Sequence, residues 1–404
     1  MQNNNRVSLS YLFFTFLKIG AISWGGFMAM ISVVRKQLVD KDKTVNDELI
    51  LDGISLASVL PGPVAFNVVT FIGYSLRGIA GALVSMVAVI LPSFILILGL
   101  ASIYETYGHV AAFTNFFMGI LPAISAVIIS VAINLFQKQV KDYKQITICV
   151  LSCLTLLFIH AFVVSLCVII AGASAGYFLY RESPAEKAIP APQSSTSNIR
   201  KYIRPSLFGL TAILLLLLLP FLLNDWANEK YKLIQTLFFT FSGMSLTLFG
   251  GGYVIIPAMQ QIIVDGYHWL SINEFADAIA MGQITPGPIF ISATFIGYRI
   301  AGSAGALVAT IAVFFPPGIL MLICSRILIR IKQSKTVNAI FKGLRPAIIG
   351  MIFSAAFTLG KEAQPAWPTV LIFLTALVLL IKFKLDVVYL IPASGLAGIL
   401  LYLL

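Results

Sequence analysis

The sequence predicts an all-α fold: a polytopic integral membrane protein with two inverted-topology repeats, whose helices are broken at Gly-Gly and at Pro-Gly-Pro. Three observations lead to this fold class. Only 11% of the 404 residues are charged and 59% are hydrophobic, whereas a soluble domain has about 25% charged residues. A set of short motifs recurs in the same order in the second half of the chain. The charges of equivalent loops are reversed between the two halves.

The net charge and the cysteine and histidine content argue against nucleic-acid binding and against a metal site. The net charge of +11 does not indicate a nucleic-acid partner, because the basic residues lie in short loops between apolar runs, where they report membrane orientation. The four cysteines form no Cys-x-x-Cys pair, and the three histidines form no metal-ligand cluster. We therefore expect free thiols, no metal and no cofactor.

The first half alternates short and long apolar segments. A glycine-containing apolar run is followed by a polar patch, a short helix that carries Asp52, and the break Leu60-Pro61-Gly62-Pro63. A second short helix and four long apolar segments come next. The predicted bounds, in order, are 10–34, 45–59, 63–76, 79–103, 110–136, 145–159 and 161–180.

Pro-Gly-Pro ends one helix and opens the next. Proline cannot donate a backbone hydrogen bond, and it disfavours the helical region in the residue before it. The glycine between the prolines admits dihedral angles that other residues avoid. Inside a membrane, such a break is tolerated only where protein or a water-filled cavity surrounds it. We therefore expect the break at a buried functional site; a plain kink or a surface turn is the alternative.

The two halves are separated by a segment of different composition. Residues 181–204 are rich in Ser, Pro, Ala and charges, and they predict a solvated linker. The leucine-rich segment 206–223 predicts one extra transmembrane helix. The expected domains are an N-terminal repeat (1–180), the linker with this helix (181–230) and a C-terminal repeat (231–404).

The second half repeats the landmarks of the first at a nearly constant separation. Thr285-Pro286-Gly287-Pro288 is the second break, and Asp277 precedes it at the distance at which Asp52 precedes the first. This period is much longer than those of solenoid repeats, so we expect the duplication of a whole domain. The other matched pairs are Phe13–Phe16 with Phe238–Phe241, Trp24-Gly25-Gly26 with Phe249-Gly250-Gly251, Phe71–Tyr74 with Phe295–Tyr298, Gly81–Val84 with Gly305–Val308, and Gly119 and Pro122 with Gly343 and Pro346.

Loop charges indicate that the two halves have opposite orientations. Residues 104–109 contain no Lys or Arg, whereas the equivalent loop of the second half is basic; the polar patch after residue 34 is basic, whereas residues 260–270 contain no Lys or Arg. By the positive-inside rule the halves are inverted, and segment 206–223 supplies the odd crossing. The simplest arrangement places the N-terminus and the linker in the cytoplasm, with re-entrant hairpins and four full spans in each half.

These motifs resemble the chromate ion transporter family, whose long-chain members have two homologous halves, each with a Phe/Trp-Gly-Gly element followed by Pro-Gly-Pro. The resemblance covers nearly the whole chain except the linker and the terminal segments. It implies efflux of chromate across the cytoplasmic membrane, with sulfate as a chemically similar ion. One departure from the family pattern is Phe27, where proline usually follows the first Gly-Gly pair.

A site for a tetrahedral dianion needs opposite charge and many hydrogen-bond donors. Broken helices offer both, because their first N–H groups point outward and each helix start carries roughly half a positive charge. We expect such starts near Val64 and Ile289, and a glycine nest could add further amides. The candidate substrate-binding residues are Lys18, Gly25, Gly26, Pro61, Gly62, Pro63, Asn67, Gly250, Gly251, Gly252, Thr285, Pro286, Gly287, Pro288 and Arg345.

Each candidate has a structural alternative. Lys18 and Arg345 lie in apolar segments and have no basic counterpart in the other half, which favours a role with the anion. Lys18 could instead extend to the membrane interface, and Arg345 could set orientation. The glycine runs could serve only close helix packing. Asp52 and Asp277 are candidates for proton coupling, but both could simply face water on amphipathic helices.

The functional hypothesis is a secondary transporter that works by alternating access around a midplane site. Its expected partners are small oxyanions and the lipid bilayer, and a homodimer is left open. An importer of sulfate or another anion on the same scaffold is the close alternative, and a non-transporting membrane scaffold or receptor is the alternative of another class. We expect no enzyme, because the apolar segments contain no Ser/His, Asp/Asp or metal constellation and the chain has no nucleotide motif.

Overall fold

A computed structural model describes residues 7–23, 26–57, 60–107, 111–159, 162–181, 229–247, 255–325, 335–362 and 366–402. This part of the chain is mainly helical and contains no strand, so the predicted all-α class is confirmed. The first half comprises α1 (Leu9–Ile22), α2 (Gly26–Arg35), α3 (Asp47–Ala57), α4 (Val64–Tyr107), α5 (Ala111–Gln139), α6 (Tyr143–Phe158) and α7 (Phe162–Tyr180).

The described residues of the second half form the helices α8 (Glu229–Thr247), α9 (Ile255–Gln260), α10 (Ile272–Ile284), α11 (Ser292–Cys324), α12 (Lys335–Glu362), α13 (Trp367–Ile381) and α14 (Val387–Leu401). The predicted extra helix 206–223 lies outside the described residues, as does the linker beyond Arg181.

Within the described ranges, four helices are long and apolar enough to cross a membrane: α4, most of α5, α11 with the turn before it, and most of α12. Large apolar side chains on the outside of the bundle are strongly exposed, for example Phe158 at 81% and Phe178 at 77%. Such a surface is unfavourable in water but matches the hydrocarbon core of a bilayer. The protein is therefore an integral membrane protein.

The longest helices, α4 and α11, are each divided by a glycine. Arg77 and Gly78 leave the helical region, with φ −140° and +63°, and Ala301 and Gly302 do so with φ −142° and +64°. The positive φ explains the glycine at each second position. The kink in α4 falls between the predicted segments 63–76 and 79–103, so this boundary is confirmed.

Other local conformations also recur at the separation of the sequence motifs. A π-helical turn, Lys36–Lys41, continues α2, and another, Gln261–Gly266, continues α9. Shortly after each turn a non-glycine residue adopts a positive φ, Lys43 at 48° and His268 at 52°. The inverted orientation of the two halves stays a prediction from their loop charges.

Close helix contacts at glycine join the first half to the second. The helix α12 packs against α5, α6 and α7. A Cβ atom on Gly343 of α12 would lie 2.2 Å from the carbonyl oxygen of Gly172 and 2.4 Å from the backbone nitrogen of Gly176, both on α7. These helices can approach so closely only because small residues face each other, as is common in membrane bundles.

We expect Gly343→Ala to destabilise the folded protein. Backbone atoms on α7 would have to move, and overpacking of this kind costs about 1–3 kcal/mol. The measurement is the thermal unfolding midpoint of the purified chain in detergent. Gly99→Ala in α4 is the matched control, because a Cβ there meets nothing within 4 Å. Equal midpoints for the two variants would contradict the close packing of α7 and α12.

Candidate functional site

The first Pro-Gly-Pro break connects α3 to α4 and is buried along its whole length. Gly62 adopts φ +95°, a conformation that residues with a Cβ atom rarely take. The helix α4 begins at Val64, which confirms the predicted start. Its first backbone amides have no intrahelical acceptor, as at every helix start.

Asn67 holds this break in its conformation from one turn into α4. Its side-chain Nδ2 donates to the carbonyl of Pro61 at 3.1 Å, and its backbone N–H donates to the carbonyl of Pro63 at 3.0 Å. The side chain is fully buried, and its Oδ1 has no hydrogen-bond partner among the described residues. A buried acceptor of this kind is costly unless it has a partner, so Asn67 presents an unused polar atom beside the break.

The second break connects α10 to α11 and is buried as well. Gly287 adopts φ +101°, close to the value at Gly62. Thr285 ends α10 because it precedes Pro286 and has an extended backbone, with φ −91° and ψ 149°; its hydroxyl donates to the carbonyl of Met281 at 3.1 Å. A 3₁₀ turn, Ile289–Ile291, precedes α11, and the α-helix therefore starts three residues later than the predicted position near Ile289.

Each break packs against the long helix of the other half. A Cβ atom on Gly62 would lie 2.3 Å from Cβ of Pro317 in α11, and one on Gly287 would lie 2.6 Å from Oγ of Ser93 in α4. Ser93 and Pro317 are separated by the same interval as the repeated motifs. The two breaks are thus placed in corresponding ways against the crossing of α4 and α11.

Hydrogen bonds connect the second break to the first half. The backbone N–H of Gly287 donates to the carbonyl of Ser23 at 2.8 Å, and the hydroxyl of Ser93 donates to the carbonyl of Pro286 in a short hydrogen bond. Ser23 follows the end of α1, so α1, α4 and the second break meet at this point.

Aromatic rings fill the space beside the breaks. The ring of Phe314 in α11 lies 5.1 Å from that of Phe66 and 6.4 Å from that of Phe290, measured between centroids. All three side chains are fully buried. Such an apolar surrounding keeps the local dielectric low and strengthens the field of the helix starts.

The two basic candidates lie in different environments. Lys18 is exposed on α1, although its neighbours Ile19 and Gly20 are buried. Arg345 is partly buried in α12, with its guanidinium 5.5 Å from the centroid of the Phe341 ring. The exposure of Lys18 agrees with the alternative that its ammonium extends towards the membrane interface.

The Gly-Gly candidates are described only in part. Gly26 is the first residue of α2. Gly25 lies outside the described residues, and so do Gly250, Gly251 and Gly252.

The two acidic candidates also differ from each other. Asp52 is exposed on α3. Asp277 on α10 accepts a hydrogen bond from the Tyr104 hydroxyl at 2.7 Å. Burial raises the pKa of the Asp277 carboxyl to about 7, although the hydrogen bond from Tyr104 acts in the opposite direction.

An ion pair beside Asp277 completes a group of four residues, which we call the Tyr104 cluster: Tyr104, Glu274, Asp277 and Arg299. Arg299 donates to Glu274 at 2.6 Å, and its guanidinium lies 5.6 Å from the centre of the Tyr104 ring. The cluster joins the end of α4 to α10 and α11. Sequence reasoning missed Tyr104, Glu274 and Arg299; the spacing of Glu274 and Asp277 on one helical face was the available signal.

Comparisons with known proteins identify relatives over nearly the whole chain. The sequence profile of the family described as chromate transporter matches residues 10–177 and 235–399. An uncharacterized transporter of Methanocaldococcus jannaschii is 30% identical over 95% of this chain and 92% of its own length. A chromate transport protein of Cupriavidus metallidurans is 29% identical over 98% of this chain and 94% of its own length.

A relative of about half the size also matches. An uncharacterized transporter of Bacillus subtilis is 31% identical over 166 residues, which are 40% of this chain and 93% of that protein. No solved structure matches the chain.

We expect Gly287→Ala to destabilise the protein and Ser93→Ala to relieve part of that effect. The added Cβ would clash with Oγ of Ser93, which lowers the free energy of unfolding by about 1–3 kcal/mol. The left-handed φ at an alanine would lower it by about 1–2 kcal/mol more. Removing Oγ leaves Cβ of Ser93 at 3.6 Å from the new atom, which is an ordinary contact. Thermal unfolding of both single variants and the double variant measures the coupling. Strictly additive losses would show that the two residues do not touch.

Proposed function

The chain belongs to the chromate transporter family, and from this premise we propose that it is a secondary transporter that exports chromate across the cytoplasmic membrane, with sulfate as a chemical analogue. The curated relative of Cupriavidus metallidurans, which matches nearly end to end, is named a chromate transport protein. The observation that carries the proposal is the placement of both Pro-Gly-Pro breaks, each buried against the long helix of the other half.

The breaks supply the chemistry that a tetrahedral dianion requires. Two helix starts facing one site offer roughly one unit of positive charge together, in addition to their N–H donors. Arg345, partly buried on α12, is the better candidate for the remaining charge, because Lys18 is exposed. In a site that excludes water, oriented amides and one guanidinium would replace the hydration shell of the ion.

Alternating access would come from movement of one half against the other around the breaks. The kinks at Gly78 and Gly302 support this proposal, because they lie in the two long helices that contact the breaks. A Cβ atom at either glycine would meet nothing within 4 Å, so each kink itself faces open space. The proposed topology places the N-terminus and residues 181–204 in the cytoplasm and gives the halves, 1–180 and 231–404, opposite orientations.

Import of sulfate or another anion on the same scaffold is the second candidate, and competition between ions separates it from chromate export. A scaffold or receptor would move no ion at all. The family to which the chain belongs favours a transporter over an enzyme.

Transport assays in vesicles of known orientation test the proposal. We expect uptake of radiolabelled chromate into everted vesicles and competition by unlabelled sulfate. Arg345→Gln should lower chromate transport by about tenfold or more, since a charge-assisted contact is worth about 1.5–3 kcal/mol, while Lys18→Gln should retain most of it. Arg345→Lys keeps the positive charge and is the control that separates loss of charge from loss of the guanidinium shape. No flux of any oxyanion through the folded protein would refute the proposal, and unchanged transport in Arg345→Gln would remove Arg345 from the site.

Proton coupling through Asp277 gives a prediction about pH. The carboxyl has a pKa near 7, so it is protonated below neutral pH and charged above it, and the transport rate should change with an apparent pKa near that value. Asp277→Asn should flatten the profile. Tyr104→Phe should move the apparent pKa upward, because it removes the hydrogen bond that favours the carboxylate. Asp52→Asn is the matched control at the equivalent, exposed position and should leave the pH profile of transport unchanged. A pH profile in Asp277→Asn equal to that of the wild type would exclude this coupling.

A further inference from the structure

The first Pro-Gly-Pro break carries a polar atom for which the described residues supply no partner. Asn67 is 0% exposed, and its Oδ1 accepts no hydrogen bond from any of them. The other end of the same amide is occupied, because Nδ2 donates to the carbonyl of Pro61 at 3.1 Å. Turning the amide over would place two oxygen atoms against each other, so this hydrogen bond fixes Oδ1 as the unpaired atom.

The side chain of Asn67 lies over the start of α4. Its backbone N–H donates to the carbonyl of Pro63 at 3.0 Å, so Asn67 is one turn into the helix, after the first amides that have no intrahelical acceptor. Helical side chains tilt towards the N-terminus of their helix, and the hydrogen bond to Pro61 requires that direction here. Several backbone donors and one buried acceptor therefore lie at the same helix start.

A buried acceptor at an anion site selects for an anion that carries a hydrogen atom. An unprotonated oxyanion oxygen has only lone pairs and would be repelled by Oδ1. An oxyanion with one O–H group can place its other oxygens on the backbone amides and its hydrogen on Oδ1. A site that hydrogen-bonds a substrate O–H rejects similar ions that lack it, because its own polar atom is then left unpaired.

We propose that the oxyanion binds in its singly protonated form, hydrogen chromate, with its O–H donating to Oδ1 of Asn67. This inference rests on the proposed transport of chromate at the breaks. Hydrogen chromate is abundant near neutral pH, whereas sulfate there carries no proton. Protonation also lowers the charge of the ion by one unit, and a smaller charge costs less to bury. Sulfate thus competes through its shape and charge but lacks this hydrogen bond.

The equivalent side chain of the second break has its partner within the protein. Ser292 follows the last proline of its break at the same distance as Asn67 follows Pro63. It is fully buried, and its hydroxyl donates to the carbonyl of Ile289 at 2.9 Å. Ser292→Ala therefore changes a buried polar residue at the matched position without removing an unpaired acceptor.

The experiment compares two ions in one preparation, so that a general loss of activity cancels. The purified full-length chain in liposomes transports radiolabelled chromate near neutral pH, with unlabelled sulfate as the competitor. The preference for chromate is the inhibition constant of sulfate divided by the KM of chromate. We expect Asn67→Leu, which keeps the approximate shape of the side chain, to lower this preference by about tenfold or more, and Ser292→Ala to leave it unchanged.

The outcomes separate this inference from the proposed function. Chromate transport with an unchanged preference in Asn67→Leu would overturn the inference and leave the transporter standing. If the folded wild type moved no oxyanion at all, both would be overturned.

Two measurements on the wild type cover the case in which Asn67→Leu does not fold. The preference for chromate should fall about tenfold for each pH unit above the range in which hydrogen chromate loses its proton. Asp277 titrates and Arg345 stays charged for both ions alike, so neither changes the ratio. Hydrogen phosphate, which has the shape and charge of sulfate plus one O–H, should compete more strongly than sulfate at mildly alkaline pH. A preference independent of pH, or equal competition by these two ions, would overturn the inference.

Discussion

The fold depends on one requirement of the bilayer: every backbone polar group inside it needs a partner within the protein. In a continuous helix, the hydrogen bonds along the helix meet that requirement. A Pro-Gly-Pro break leaves carbonyl groups at the end of one helix, and N–H groups at the start of the next, without these helical partners. The partners come from residues outside the breaks themselves. Asn67 serves the first break, and Ser23 and Ser93 serve the second.

Similar backbones in the two halves carry different side-chain chemistry. The kinks at Gly78 and Gly302 and the two π-helical turns have nearly the same geometry. The matched acidic residues on α3 and α10 differ, because Asp277 lies in a buried cluster whereas Asp52 is exposed. A shared backbone with unequal side chains allows one half to acquire ion-binding or proton-exchanging groups without disturbing the other.

Local signals in the sequence predicted the helix breaks, but they did not predict the contacts between distant segments. Proline and glycine act on their own neighbourhood, so the start of α4 at Val64 and the division of α4 near Gly78 followed from the sequence. The 3₁₀ turn before α11 did not, because it depends on packing. Tyr104 and Ser93 gained their roles from partners more than 170 positions away in the chain. The exposure of Lys18 could not be predicted from the sequence either, since an apolar segment does not reveal which of its faces contacts lipid.

Ser93 and Pro317 occupy corresponding positions in the two long helices, yet only the serine can donate a hydrogen bond. Among the described residues, Ser93 and Ser23 of the first half hydrogen-bond to the second break, whereas the described contact of the first break with the second half is the surface of Pro317. A movement of one half against the other at the second break would therefore have to exchange these two hydrogen bonds for others.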